Sequence, residues 1–108
     1  MAMIDISDKP EIFREATVTG TIKLKTSTIQ LIKERKIAKG DPFQTAKVAG
    51  ILGAKRTSTL IPLCHPLPLT SVKIDTNTEG KTRVRVTAKV KTKASTGVEM
   101  EALTATAT

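Results

Sequence analysis

Residues 72–91 read VKIDTNTEGKTRVRVTAKVK, and this stretch decides the fold class. Apolar and polar side chains alternate on both sides of the segment 77–80. Such alternation is typical of strands that bury one face, and a short segment with Asn and Gly is typical of the turn between them. The stretch therefore predicts an antiparallel hairpin. Its expected inward-facing side chains are Val72, Ile74, Val84, Val86, Ala88 and Val90.

Another strand is predicted upstream, where residues 15–25 read EATVTGTIKLK. The same period of two separates a face of small and apolar residues from a face of threonines and a lysine. The expected inward-facing residues are Ala16, Val18, Gly20, Ile22 and Leu24. Because Phe13 and Phe43 are the only aromatic residues, the core is expected to consist of Ile, Leu, Val and Ala.

Two helices are predicted between this strand and the hairpin. Residues 26–28 offer an N-cap for a short helix that ends near Gly40. Asp41 followed by Pro42 marks a second helix start, and that helix is expected to run to about Arg56. Its small residues are Ala46, Ala49, Gly50, Gly53 and Ala54. Because each interior glycine costs roughly 1 kcal/mol relative to alanine, we expect this helix to pack closely against another backbone.

The last helix is predicted to open close to Val98 and to include EMEALTATAT. The resulting order is strand, helix, helix, strand, strand, helix. This order predicts an α+β domain in which the helices pack on one face of a largely antiparallel sheet. A chain of 108 residues is expected to form a single domain.

Composition limits the classes of partner and compartment. The net charge of +8 favours an anionic partner, which could be nucleic acid, an acidic surface or a polyphosphate. One cysteine excludes an internal disulfide and indicates a reducing compartment. The sequence has no secretory signal pattern and no apolar run of the roughly 18 residues that span a bilayer. We therefore expect a cytoplasmic protein without a membrane partner.

The stretch LIPLCHPLPL, residues 60–69, holds the only cysteine, Cys64, next to the only histidine, His65. Its prolines are Pro62, Pro66 and Pro68. In an extended chain they remove the N–H donors of one side except that of Cys64, which predicts a sheet edge or a wall. The Cys64 and His65 side chains are then expected to point to opposite faces.

The residues alone leave the chemistry of this stretch open. Cys64 and His65 could belong to a site that the prolines shape, or they could equally be a core thiol and a hydrogen-bonded imidazole without a role in binding. A zinc site is not predicted, because a structural site needs four nitrogen or sulfur ligands. Lys39, before a helix N-terminus, could complement a phosphate or simply be solvated. Glu99 and Glu101 are only weak candidates for acid–base work, since on a helix they lie about 200° apart.

Three long motifs occur in order along the chain. They are KGDPFQTAKVAG at 39–50, AKRTSTLIPLCHPL at 54–67 and TGVEMEALTA at 96–105. With IDISDK at 4–9 and REATV at 14–18, they closely resemble the cyclic pyranopterin monophosphate synthases, the molybdenum cofactor biosynthesis protein C (MoaC) family. The resemblance covers nearly the whole chain.

The resemblance implies a ferredoxin-like α+β subunit in a homo-hexamer, a trimer of dimers with sites between subunits. It implies a lyase reaction in which cyclised dihydro-GTP becomes cyclic pyranopterin monophosphate and diphosphate is released. No metal and no cofactor are expected. The substrate-contacting positions would be Leu63, Cys64, His65, Met100, Glu101 and Arg14. Lys39 and Glu99 match catalytic positions of the family.

The family's last helix continues into a D–M–x–K stretch whose aspartate is the proposed general acid–base residue. This sequence ends at Thr108, before that stretch. We therefore expect residues 1–108 to lack the C-terminal part of the family's domain. Two alternatives remain: a basic nucleic-acid-binding module, which would have almost no aromatic stacking platform, and a non-catalytic nucleotide-binding relic of the same fold.

Overall fold

A computed structural model describes residues 1–108 as four helices and one antiparallel sheet of three strands. The elements are β1 (Ile12–Lys23), α1 (Thr26–Lys33), α2 (Pro42–Lys55), α3 (Thr57–Leu60), β2 (Leu69–Glu79), β3 (Arg83–Ala94) and α4 (Glu99–Ala107). The strand order is β1-β3-β2, so the hairpin's second strand is central. This confirms the predicted α+β class, and the arrangement is consistent with a ferredoxin-like fold.

The sheet buries the face that the alternation predicts. β3 pairs antiparallel with β1 from Ile12 opposite Ala94 to Lys23 opposite Arg83. β2 pairs with the other side of β3, with an irregularity between Leu69 and Ser71. Helices α2 and α4 pack against each other, while α2 covers β2 and α4 covers β1 and β3. The opposite face of the sheet is exposed and carries lysines, arginines and threonines.

The core contains no aromatic side chain. Its buried members are Ala54, Ile74, Ala88, Val90, Val98, Ala102 and Ala105. This confirms a core of alanine, valine and isoleucine, whereas Leu67 and Leu69 are only partly buried at its border. Ile22, which was expected to face inward, is 54% exposed, next to the Lys23 end of β1.

Helix α2 begins as predicted, and its glycines lie against α4. The Asp41 carboxylate accepts a hydrogen bond from the Phe43 N–H at 2.9 Å, which caps the helix. A Cβ on Gly50 would lie 3.1 Å from the Ile74 side chain and 3.3 Å from the Ala105 carbonyl oxygen. Gly53 is similarly close to Thr104 and Thr108. Close packing against another backbone is thus confirmed.

Helix α1 is shorter than predicted, and its N-cap is Lys25, without a side-chain cap hydrogen bond. The helix stops at Lys33 because Arg35 adopts a positive φ of 57°. The Arg35 N–H donates to Ile32 O at 3.1 Å and the Lys36 N–H donates to Leu31 O at 2.9 Å. These two bonds form a Schellman motif, which satisfies the last carbonyls of the helix. The prediction that the helix extends towards Gly40 was wrong.

Two other details differ from the sequence prediction. The hairpin turn lies at 80–82, because β2 continues through Glu79. Gly80 opens the turn with a φ of 60°, a conformation that glycine adopts without steric cost. The short helix α3 was not predicted. No helix has both the length and the apolar character that crossing a bilayer requires.

Candidate active site

A cavity of about 330 Å³ lies where the proline-rich segment meets the start of α4. It brings together six of the eight residues predicted for the site. They are Leu63, Cys64, His65, Glu99, Met100 and Glu101. Two segments that are more than 30 residues apart in sequence therefore form one pocket, with a thiol, an imidazole and two carboxylates around it.

The proline-rich segment begins with a turn. The Cys64 N–H donates to the Ile61 carbonyl oxygen at 3.1 Å. Pro62 occupies the second position of this turn, where its fixed φ is favourable. The prediction of a continuous extended run was therefore wrong at this point, and the Cys64 N–H is used internally. The prediction that the Cys64 and His65 side chains point to opposite faces assumed that extended backbone. In the structure both residues border the same cavity.

In the rest of the segment, His65 and Leu67 line the cavity. Residues 64–68 form no strand, and β2 begins only at Leu69. A hydroxyl on the sheet holds the segment in place: Thr92 Oγ1, on a fully buried residue, donates to the Pro68 carbonyl oxygen at 2.5 Å. The central strand thus fixes the position of a segment whose prolines cannot join the ladder.

The imidazole of His65 contacts the N-terminal segment of the chain. Its Nε2 lies 2.5 Å from the Ile4 carbonyl oxygen. A carbonyl oxygen only accepts, so Nε2 carries the hydrogen and donates it. In the neutral ring Nδ1 is then the acceptor. His65 can therefore tie down the N-terminal segment and still accept a hydrogen bond from a ligand.

The first turn of α4 supplies the acidic side of the cavity. Glu99 is exposed, whereas Glu101 is only 5% exposed. Burial raises the pKa of the Glu101 carboxyl, and the negative charge of Glu99 raises it further, although a backbone hydrogen bond at Glu101 lowers it. The two glutamates therefore differ in environment, although both border the cavity.

The thiol of Cys64 is partly buried beside these carboxylates. Partial burial raises its pKa, and the charge of Glu101 raises it further. The thiolate is the nucleophilic form of cysteine. This cavity therefore disfavours a nucleophilic thiolate and suits a contact role. No three His, Cys, Asp or Glu side chains converge in a way that could hold a metal ion.

Arg14 and Lys39 do not border this cavity. Arg14 Nε donates to the Ala94 carbonyl oxygen at 3.1 Å, and its Nη2 donates to the Ser95 carbonyl oxygen at 3.4 Å. It thus holds the end of β3, just before the loop that enters α4. Lys39 is exposed in the loop between α1 and α2. That loop borders a second cavity, of about 520 Å³.

Comparison with known sequences supplies the family. The profile of the MoaC family matches residues 3–108. The chain belongs to the MoaC family. Among curated relatives, the cyclic pyranopterin monophosphate synthase of Thermomicrobium roseum is 53% identical over 106 residues, which cover 97% of this chain and 64% of the relative.

Two further relatives of this MoaC-family chain match it with similar identity and coverage. A probable cyclic pyranopterin monophosphate synthase of Sulfolobus acidocaldarius is 51% identical over 105 residues, covering 97% of this chain and 73% of the relative. One from Pyrococcus horikoshii is 53% identical over 102 residues, covering 94% and 64%. The chain therefore spans roughly two thirds of the length of the relatives that it matches.

The cavity of this MoaC-family chain is also lined by residues that were not predicted for the site. They are Ala2, Ile4, Ile6, Lys9, Leu67, Thr96 and Gly97. Four of these belong to the N-terminal segment. That segment entered the sequence prediction only through its motif IDISDK, as part of the family resemblance. The lack of periodicity there gives no indication of where the segment lies, and its position is shown by the hydrogen bonds from His65 to Ile4 and from Ser95 to Lys9.

Proposed function

We propose that the full-length gene product is a cyclic pyranopterin monophosphate synthase of molybdenum cofactor biosynthesis. In the proposed reaction, cyclised dihydro-GTP rearranges to cyclic pyranopterin monophosphate and diphosphate leaves. The observation that carries this proposal is the cavity shared by the LCHP segment and the GVEME segment, in a chain whose relatives bear that enzyme's name. The two most distinctive motifs of the sequence meet at one place.

The side chains around the cavity have distinct capacities in this reaction. Leu63 and Met100 are 43% and 38% exposed, and they offer apolar contacts to a flat purine-derived ring. His65 donates from Nε2 and can accept at Nδ1. Glu101, whose pKa is raised by burial, is suited to donate a proton or a hydrogen bond to the reacting ring. Cys64 lines the cavity as a contact and not as a nucleophile.

We assign Lys39 and Glu99 the catalytic roles that the family resemblance implies. Glu99 lies on the cavity of its own chain. Lys39 lies off it, so we propose that Lys39 reaches the cavity of a neighbouring subunit. A cation supplied in this way would compensate the negative charge of the substrate. The family's D–M–x–K aspartate would complete the site, and we propose that residues 1–108 are one domain without that C-terminal part.

We also propose that the subunit assembles into a hexamer, a trimer of dimers. Only 15 of 108 residues are buried, and the exposed large apolar residues include Val48 at 59% and Leu52 at 44% on one side of α2. Large exposed apolar patches mark interaction sites on proteins. A Leu52→Asp variant should lower the molar mass of the full-length protein in light scattering. An unchanged hexamer would contradict this interface.

The proposed reaction is tested by turnover of the full-length gene product. Cyclised dihydro-GTP should yield cyclic pyranopterin monophosphate and diphosphate in equal amounts. Lys39→Ala and Glu99→Gln should each lower kcat by at least about a hundredfold. Lys25→Ala, which removes an equal charge from the start of α1, should stay close to the wild-type rate.

Two negative outcomes separate the alternatives. Binding of the substrate without diphosphate release by the full-length protein would favour a nucleotide-binding relic. Steeply salt-dependent binding to polynucleotides, with no turnover and no preference for a purine triphosphate, would favour a nucleic-acid-binding module.

The single cysteine is free, which fits a reducing compartment, and we propose that the protein is located in the cytoplasm.

A further inference from the structure

We propose that Lys9, on the N-terminal segment, is the cation that the subunit itself contributes to bind the phosphate groups of its ligand. This inference rests on the proposed function, because it requires an anionic ligand in the cavity. Lys9 was not among the residues predicted for the site, and the structure places it on the same cavity as Glu99 and Glu101.

The charge of the cavity favours a cationic residue from the same subunit. Lys9 is the only lysine or arginine that borders it, against two glutamates. A triphosphate approaching these carboxylates meets repulsion, and an opposite charge within the same cavity offsets it. Burial raises the pKa of Glu101 and so disfavours its negative charge, whereas Glu99 is exposed. Without Lys9, the subunit's own contribution to the cavity would be entirely acidic or neutral.

The N-terminal segment is held against the cavity at both of its ends. At one end, His65 Nε2 donates to the Ile4 carbonyl oxygen at 2.5 Å. At the other end, Ser95 Oγ donates to the carbonyl oxygen of Lys9 at 3.0 Å. The backbone of Lys9 is therefore fixed by a residue next to the cavity-lining Thr96.

Local hydrogen bonds shape the segment between these two anchors. The Ser7 N–H donates to the Asp5 carboxylate at 2.9 Å, and the Lys9 N–H donates to the Ile6 carbonyl oxygen at 3.0 Å. The turn that results directs the chain from Ile4 to Lys9. A segment with these contacts presents Lys9 in a defined position and not as a freely moving tail.

Arg14 has a positioning role in this arrangement. Its guanidinium donates to the carbonyl oxygens of Ala94 and Ser95, and the Ser95 hydroxyl in turn holds Lys9. Arg14 thus supports the position of Lys9 through Ser95. The substrate contact that the family resemblance implies for Arg14 stays a prediction.

Lysine suits the proposed role chemically. Its ammonium is a compact charge on a flexible stem, with three donors, and it binds phosphate as a point charge. The side chain of Lys9 is exposed and forms no ion pair in this structure. It therefore has no protein carboxylate to leave before it binds a phosphate group.

Steady-state kinetics of the full-length gene product test this assignment. Lys9→Ala should raise KM for cyclised dihydro-GTP by about tenfold, since hydrogen bonds to charged groups are among the stronger ones. The kcat should change by less than about threefold, because Lys9 binds and does not react. Lys9→Arg should restore most of the affinity. Lys25→Ala is the matched control and should keep the wild-type KM.

Binding without turnover gives a second readout. By calorimetry, Lys9→Ala should weaken binding of GTP and leave binding of guanosine unchanged, since guanosine has no phosphate. An equal loss for both ligands would show that Lys9 only shapes the pocket, and that would overturn the proposal. A wild-type KM in Lys9→Ala, with an active wild type, would also overturn it and leave the proposed function intact. A wild-type protein that neither turns over the substrate nor binds GTP would overturn both.

Discussion

The thiol of Cys64 and the carboxyl group of Glu101 border the same cavity, and the charge of Glu101 adds to the effect of burial in raising the pKa of the thiol. One residue comes from a turn before β2 and the other from the first turn of α4. Burial and the nearby charge of Glu101 both favour the protonated thiol. Because the thiolate is the nucleophilic form, the only cysteine of the chain is better suited to a contact role than to a nucleophilic one.

The first prediction concerns the reactivity of Cys64. Its alkylation by iodoacetamide at pH 7.5 should be several-fold slower than that of free cysteine, because the thiolate fraction is smaller. Glu101→Gln should accelerate the reaction by removing the nearby charge. Glu11→Gln changes an exposed carboxylate that does not line the cavity, and it should leave the rate unchanged. A rate equal to that of free cysteine in the wild type would contradict the raised pKa.

The second prediction concerns stability as a function of pH. Burial raises the pKa of Glu101 above its ordinary value of about 4.5, so the folded state binds this proton more tightly than the unfolded state does. The contribution of Glu101 to stability is therefore present below pH 4.5 and is lost as the pH rises through the folded-state pKa. At pH 7 the Glu101→Gln variant should be more stable than the wild type, because glutamine carries no charge.

Chemical denaturation at several pH values measures this effect. The stability difference between Glu101→Gln and the wild type should grow from pH 4 to pH 7, by about 1.4 kcal/mol for each tenfold difference in proton affinity between the two states. Glu11→Gln should show no such trend. A difference that stays constant with pH would mean that Glu101 has an ordinary pKa in the folded protein.

The third prediction concerns the hydrogen bond that anchors the proline-rich wall. Thr92→Val keeps the shape of a fully buried side chain but removes the donor to the Pro68 carbonyl oxygen. The expected loss is about 1 kcal/mol of unfolding free energy, because a polar group loses its partner. Thr87→Val removes a hydroxyl that meets only the exposed Thr19 hydroxyl, so it should change stability by less than about 0.5 kcal/mol. Equal effects in thermal melts would exclude a structural role for the bond.

The fourth prediction compares two glycines of α2. Gly50→Ala should destabilise the protein by about 1–2 kcal/mol, because the new methyl group would crowd the Ile74 side chain and the Ala105 backbone. A Cβ on Gly53 would lie 2.7 Å from Thr108 Oγ1 and 3.2 Å from Thr108 Cβ, both on a side chain, and the nearest backbone atom, the Thr104 carbonyl oxygen, would be 3.5 Å away. There the gain in helix propensity, about 1 kcal/mol, should offset the contact. Equal stability of Gly50→Ala and Gly53→Ala would contradict the close contact of Gly50 with Ile74 and Ala105.

Local patterns predicted most of the architecture. The alternation around residues 72–91 and 15–25 identified all three strands, and Asp41-Pro42 identified the start of α2. These signals are reliable because one-sided burial and helix capping are properties of neighbouring residues. The end of α1 was missed, because a non-glycine residue, Arg35, takes the positive φ that stops the helix.

The motifs named candidate residues, but the motifs alone did not give the geometry of the cavity. Family resemblance pointed to Leu63, Cys64, His65, Glu99, Met100 and Glu101, and these six meet on one cavity. The turn at 61–64 was missed, since a proline-rich run is compatible with both an extended chain and a turn. The same resemblance pointed to Arg14 and Lys39, which do not border that cavity.

By itself the sequence determined the α+β class, the apolar face of the sheet and the family, because these depend on periodicity and on motifs along the chain. Only the tertiary structure decided which residues share the cavity. It brought the N-terminal segment with Lys9 to His65 and Ser95, and it buried Glu101 while leaving Glu99 exposed. The physical reason is that burial and long-range hydrogen bonds arise from packing between distant segments, which no local pattern encodes.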